Sequence, residues 1–138
     1  MKILILLLFP FVAFGFPKIP DVSFTYPHLC SVKDSDFREF RYDQKVPYCQ
    51  RNVSQSMRDR VYDKYEIPVE KRSEFTIDHL VPLSLGGSNS IKNLWPQHMT
   101  INTAVIEGHI FRQVRDGEIT IQEAINNILD VKYSNRCD

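Results

Sequence analysis

Apolar residues recur along this chain at spacings that change several times. After Ser54, Met57, Val61 and Tyr65 stand four residues apart, the stripe of a helix over about 55–65 with Ser54 as its cap and Pro68 beyond its end. Phe75 and Ile77 then alternate with Glu74 and Thr76, the two-residue period of a strand that delivers Asp78 and His79 at its end. Gly86 and Gly87, with Ser88, Asn89 and Ser90, read as a mobile or tightly turned loop. Asn93-Leu94-Trp95 suits a short returning strand that Pro96 keeps from the centre of a sheet. Thr100 predicts a helix over about 101–115 that stops at Asp116-Gly117. The T-x-x-E of Thr120 and Glu123 opens a last helix, with Ile121, Ala124, Ile125 and Ile128 on its apolar face.

The first half is less periodic. Residues 16–33 hold Pro17, Pro20 and Pro27 among scattered aromatics, an extended lead-in, and residues 38–53 alternate in short runs compatible with strand and turn. Ahead of them, Lys2, an apolar run from Ile3 to Phe14 and the small residues Ala13 and Gly15 form the pattern of a secretory signal peptide, with cleavage expected after Gly15. The expected organisation is a signal over 1–15, an extended segment over 16–50 packed on the domain, and a functional domain over 51–138.

Length bounds the rest: 138 residues make one domain with one sizeable core. The 17 basic and 17 acidic residues cancel, so no global field draws the chain to nucleic acid or to a membrane. Any basic surface is local. Export would expose Cys30, Cys49 and Cys137 to an oxidising compartment, where one disulfide is expected and one thiol remains or pairs between chains. Connectivity is open from sequence. Cys30 with Cys49 is the preferred pair, because it would close the charged, aromatic segment between them into a loop. No zinc-ligand spacing is present.

Chemistry concentrates between the strand and the helix. Asp78-His79 on one strand, Asn93 on the next and Asn102 in the expected helix can meet around one small cavity. A carboxylate and an amide carbonyl are hard oxygen ligands for a divalent cation, with water and phosphate completing its shell. From His79 to Ile106 there is no Asp or Glu, while Lys92 adds a positive charge, so an incoming phosphate meets little repulsion there. Lys92, Arg72 and Arg51 are candidate phosphate contacts, although each alone is an ordinary solvated charge. Trp95 is expected in the core, His98 as a loop histidine near enough to approach a metal, and His109 as a packed helix residue.

"DHLVPLSLGG", "KNLWPQ" and Asn102 resemble the HNH endonuclease family, over about 74–115, and "YCQRNVS" and "YEIP" look like the leading part of small exported bacterial HNH proteins. The resemblance implies a small α+β domain with a ββα-metal core flanked by helices. It implies His79 as general base, Asp78 and Asn102 as metal ligands, and Asn93 as the brace of the loop. The implied cofactor is one divalent ion, Mg²⁺ first, with Mn²⁺, Zn²⁺ or Ni²⁺ as alternatives. The implied activity is hydrolysis of phosphodiester bonds in DNA, favoured over RNA, with little sequence specificity, outside the cytoplasm and without stable membrane association once the signal is removed. The second class that stays open is an exported nucleic-acid-binding domain that keeps the framework without turnover. The helical stretch "NTAVIEGHIF" is more apolar than in many relatives and carries Gly108 inside it.

Overall fold

The computed structural model describes residues 15–134. The proposed signal peptide and Cys137 therefore lie outside the described residues, apart from Gly15 at the signal's end. Among the described residues four strands and three α-helices make a small α+β domain, in chain order β1 (Phe37–Arg41), β2 (Val46–Cys49), α1 (Gln55–Lys64), β3 (Phe75–His79), β4 (Leu94–His98), α2 (Ala104–Arg115) and α3 (Ile121–Ser134). Among the described residues β1 pairs with β2 and β3 with β4, both antiparallel, in two separate two-stranded sheets.

Each element forms for a local reason. The Ser54 side chain accepts the Met57 N–H at 3.2 Å and caps α1, as its position predicts. Thr120 and Glu123 make the reciprocal capping box of α3, with the Thr120 N–H to Glu123 Oε2 at 2.7 Å and the Glu123 N–H to Thr120 Oγ1 at 3.2 Å. In β3 the alternation puts Phe75, Ile77 and His79 on the buried face and Thr76 and Asp78 on the other. Phe75 and Ile77 pack with Val61, Tyr62, Ile67 and Leu94, so α1 lies under the β3–β4 hairpin. A second cluster joins Val81 and Leu85 to Ile110, Val114, Ala124 and Ile128, packing α2 and α3 together against the turn after β3.

α2 begins three residues later than the sequence predicts. Asn102 Oδ1 accepts the Ala104 N–H at 3.0 Å, an Asx turn that competes with helix, and the Thr100 hydroxyl faces His98 Nδ1 at 2.8 Å instead of capping. Asn102 precedes the helix and does not lie in its first turns.

The two loop glycines have different reasons. Gly86 has φ +86°, a left-handed conformation open to glycine. Gly87 lies so close to the chain after β3 that a Cβ would stand 1.8 Å from the Val81 carbonyl oxygen. The extended lead-in docks on this loop: Cys30 N–H bonds the Gly86 carbonyl at 2.8 Å, Ser88 N–H the His28 carbonyl at 3.0 Å, and Tyr26 N–H the Lys92 carbonyl at 2.8 Å. Cys30 and Cys49 form a disulfide, the pairing preferred from sequence, and tie the lead-in to the end of β2.

Candidate active site

The end of β3 is where polar groups gather. Asn93 is fully buried on the returning side of the loop. Its Oδ1 accepts the Val81 N–H at 3.0 Å, and its Nδ2 donates to the carbonyls of Val81 at 3.0 Å and Ser88 at 2.9 Å. One amide thus pins the residues just after His79 to the loop beyond Gly87.

His79 is 3% exposed, and its Nε2 lies 3.0 Å from Asn89 Oδ1. Burial holds the imidazole below its ordinary 6.5; the Asn89 hydrogen bond opposes this, the Arg51 charge adds to it, Asp78 opposes it and Lys132 adds to it. The lowering favours the uncharged ring. Among the described residues its Nδ1 makes no hydrogen bond and no fully enclosed side-chain nitrogen lacks a partner, so Nδ1 is not completely sealed from solvent.

Asp78 points to the opposite face, where Oδ2 accepts the Trp95 Nε1–H at 3.2 Å and meets Lys132 Nζ at 2.7 Å. Lys132 comes from α3 with its side chain wholly buried, and its ammonium also reaches Glu107 Oε1 at 2.8 Å and the His79 carbonyl at 2.5 Å. Burial alone would lower the Lys132 pKa, but the charges of Asp78 and Glu107 outweigh it and hold the group above its ordinary 10.5. Thr103 donates to the same Glu107 oxygen at 2.7 Å. Two carboxylates are therefore drawn around one ammonium. Among the described residues Asp78 Oδ1 and Glu107 Oε2 remain without a hydrogen bond, on side chains 22% and 23% exposed.

Of the residues singled out from sequence, the structure brings His79, Asn93 and Arg51 to the end of β3, with Asp78 next to His79 in the chain but turned to the opposite face. Arg51 donates to the Ile77 carbonyl at 3.0 Å and, with Asp36, Arg38 and Gln50, lines a recess of about 310 Å³. Asn102 is exposed, with its oxygen engaged at Ala104, and no hydrogen bond joins it to Asp78 among the described residues. Arg72 is committed elsewhere: it pairs with Asp59 at 3.4 Å and Asp63 at 2.5 Å and fastens the turn before β3 to α1. Lys92 is exposed, with Nζ 6.0 Å from the Tyr26 ring centre. His98 is no loop residue: it pairs with Phe75 at the far end of the hairpin, about 13 Å along the strand from His79, and stacks on Phe16 at 3.8 Å. His109, expected to be packed, is exposed. Trp95 is in the core as expected, 1% exposed, and also orients Asp78.

Sequence reasoning missed Lys132, Glu107, Asn89 and Asp36. Two of these left a signal. Lys132 falls four residues after Ile128 on the apolar face of α3, and Glu107 stands three before Ile110 on that of α2, where a charge needs a buried partner. Cys30, Cys49 and Asp34 are the one group of three metal-ligating side chains among the described residues, within 4.8 Å of one another. With both sulfurs joined in the disulfide, they offer no thiolate to an ion. Comparison with known proteins gives no match: no family model fits the chain, and no curated protein and no solved structure matches it.

Proposed function

We propose that this chain is an exported, divalent-metal-dependent endonuclease of the HNH type that hydrolyses phosphodiester bonds in nucleic acid, with DNA the favoured substrate. The observation that carries the reading is His79: a neutral imidazole fixed at Nε2, with Nδ1 open, one residue from a carboxylate whose second oxygen is open too.

In this reading Nδ1 takes the proton from the attacking water, as a neutral imidazole does at physiological pH. Asn89 holds the far side of the ring during the transfer, and Asp78 supplies a compensating charge as the imidazolium forms. Arg51 is the phosphate contact, since its charge lies close enough to act on His79.

The donor set fits a hard cation, with Glu107 in the place the sequence assigned to Asn102. Asp78 Oδ1 and Glu107 Oε2 would hold a divalent ion, Mg²⁺ first, because that ion is content with one or two carboxylates while water and phosphate oxygens complete its shell. When bound, the ion supplies Lewis acidity at a non-bridging phosphate oxygen and countercharge at the leaving oxygen. Lys132 already neutralises one of the two carboxylate charges, so the site favours an ion that shares its charge with the substrate.

The disulfide supports an oxidising compartment, and among the described residues no helix is long and apolar enough to cross a membrane. The test is nicking of supercoiled plasmid, beside single-stranded DNA and RNA, in Mg²⁺, Mn²⁺ or EDTA, with His79→Ala in parallel. Metal-dependent cleavage abolished in the variant is the expected result. Salt-sensitive binding of all three nucleic acids without cleavage in any metal overturns the enzyme reading in favour of a binding domain.

A further inference from the structure

Asn89 is 5% exposed, and both ends of its amide are engaged. Nδ2 donates to the carboxylate of Asp36 and, at 2.8 Å, to the Gln50 carbonyl. Both partners accept only, so the amide has one orientation, with Oδ1 towards His79 Nε2. An amide oxygen cannot donate. The hydrogen of that contact therefore belongs to Nε2, which leaves Nδ1 as the unprotonated nitrogen.

Asp36 and Gln50 bracket the N-terminal hairpin. Asp36 immediately precedes β1, Gln50 immediately follows β2, and the Gln50 N–H closes on the Asp36 carbonyl at 2.9 Å. Neither belongs to the ββα unit that carries His79.

We propose that Asp36 and Asn89 are positioning residues for His79: the base of the N-terminal hairpin, acting through the Asn89 amide, dictates which ring nitrogen of His79 is free to accept a proton. The inference rests on reading His79 as the general base, but its physical content is a tautomer that is observable without turnover. The device is the one a buried acceptor gives any histidine, a fixed ring and a fixed proton. Here the acceptor is neutral, and a carboxylate behind it sets its direction.

The test is ¹⁵N NMR of the His79 ring in the full mature chain, above the pH range where imidazoles titrate, for wild type, Asn89→Leu, Asp36→Leu and Asp36→Asn. Wild type is expected as the single Nε2–H tautomer. Asn89→Leu and Asp36→Leu are expected to mix the tautomers, and Asp36→Asn, which keeps an acceptor oxygen, to restore the wild-type ring. In nucleolytic assays the two leucine variants should lose about tenfold to a hundredfold in kcat with KM little changed. An Nδ1–H tautomer in wild type overturns the proposal whether or not any variant folds. So does a single Nε2–H tautomer in folded Asn89→Leu and Asp36→Leu. The expected tautomers in a chain that cleaves no nucleic acid would leave the relay standing and remove the enzyme reading.

Discussion

The Lys132 ammonium lies 2.7 Å from the carboxylate of Asp78, 54 residues earlier in the chain, with no part of its side chain in contact with water. It lies between two carboxylates and a carbonyl, so its removal leaves charges without a partner in a poorly solvated place. Lys132→Met is expected to cost about 3–5 kcal/mol of folding stability. Urea unfolding followed by Trp95 fluorescence measures it, because Trp95 is the one tryptophan and its indole bonds the same Asp78. The folded pKa of Lys132 is raised, so its contribution is complete below about 10.5 and fades as pH rises through the folded value.

His79 gives the opposite sign. Its folded pKa is lowered, so the unfolded chain binds the proton more tightly, and stability falls as pH drops from about 6.5 towards the folded value. His79→Leu should flatten that part of the stability curve. Nucleolytic activity is expected to hold through pH 6.5 and to decline only below it, since the base remains neutral there. A pH–rate profile whose acid limb is centred above 6.5 would refute the assignment of His79 as the base.

The disulfide closes a span of 19 residues. Loop closure of that length stabilises by about 3 kcal/mol. The Cys30→Ala/Cys49→Ala double variant should unfold at lower temperature by that measure. Ring-nitrogen NMR on the same variant should show a loosened Nε2–H contact, because Gln50 follows Cys49 directly.

Gly87→Ala and Gly108→Ala should differ in sign. A Cβ at Gly87 collides with the Val81 carbonyl at 1.8 Å and crowds Asn93 Nδ2 at 3.0 Å, for a loss of about 3 kcal/mol or more. At Gly108, inside α2, the added methyl meets only the Arg112 Nη1 at 3.4 Å, and the helix gains about 0.5–1 kcal/mol. Thermal unfolding of the two variants decides both.

Local signals carried much of this fold. The caps at Ser54 and at Thr120 with Glu123, the alternation into Asp78 and His79, and the exclusion of Pro96 from a sheet centre were all legible, because each depends on neighbours within a few residues. The start of α2 was misplaced because Asn102 offers its side chain to the backbone in competition with the helix, and nothing in a Thr-rich stretch ranks the two outcomes. The pairing of Asp78 with Lys132 and Glu107 was hidden by distance in sequence, although a lysine on an apolar stripe announces that some partner exists. Asp36 left no such mark: an acidic residue before a strand is ordinary, and its meaning comes only from the loop that folds against it.

The grip of Asp36 and Gln50 on Asn89 bears on how such a site travels between proteins. A strand pair and a helix form a compact unit, yet here the ring of His79 answers to a separate hairpin and the carboxylates of Asp78 and Glu107 to a C-terminal helix. A graft of residues 74–115 alone would carry the motif and leave behind what orients it. What fixes His79 and Asp78 is then spread along the chain from Asp36 to Lys132.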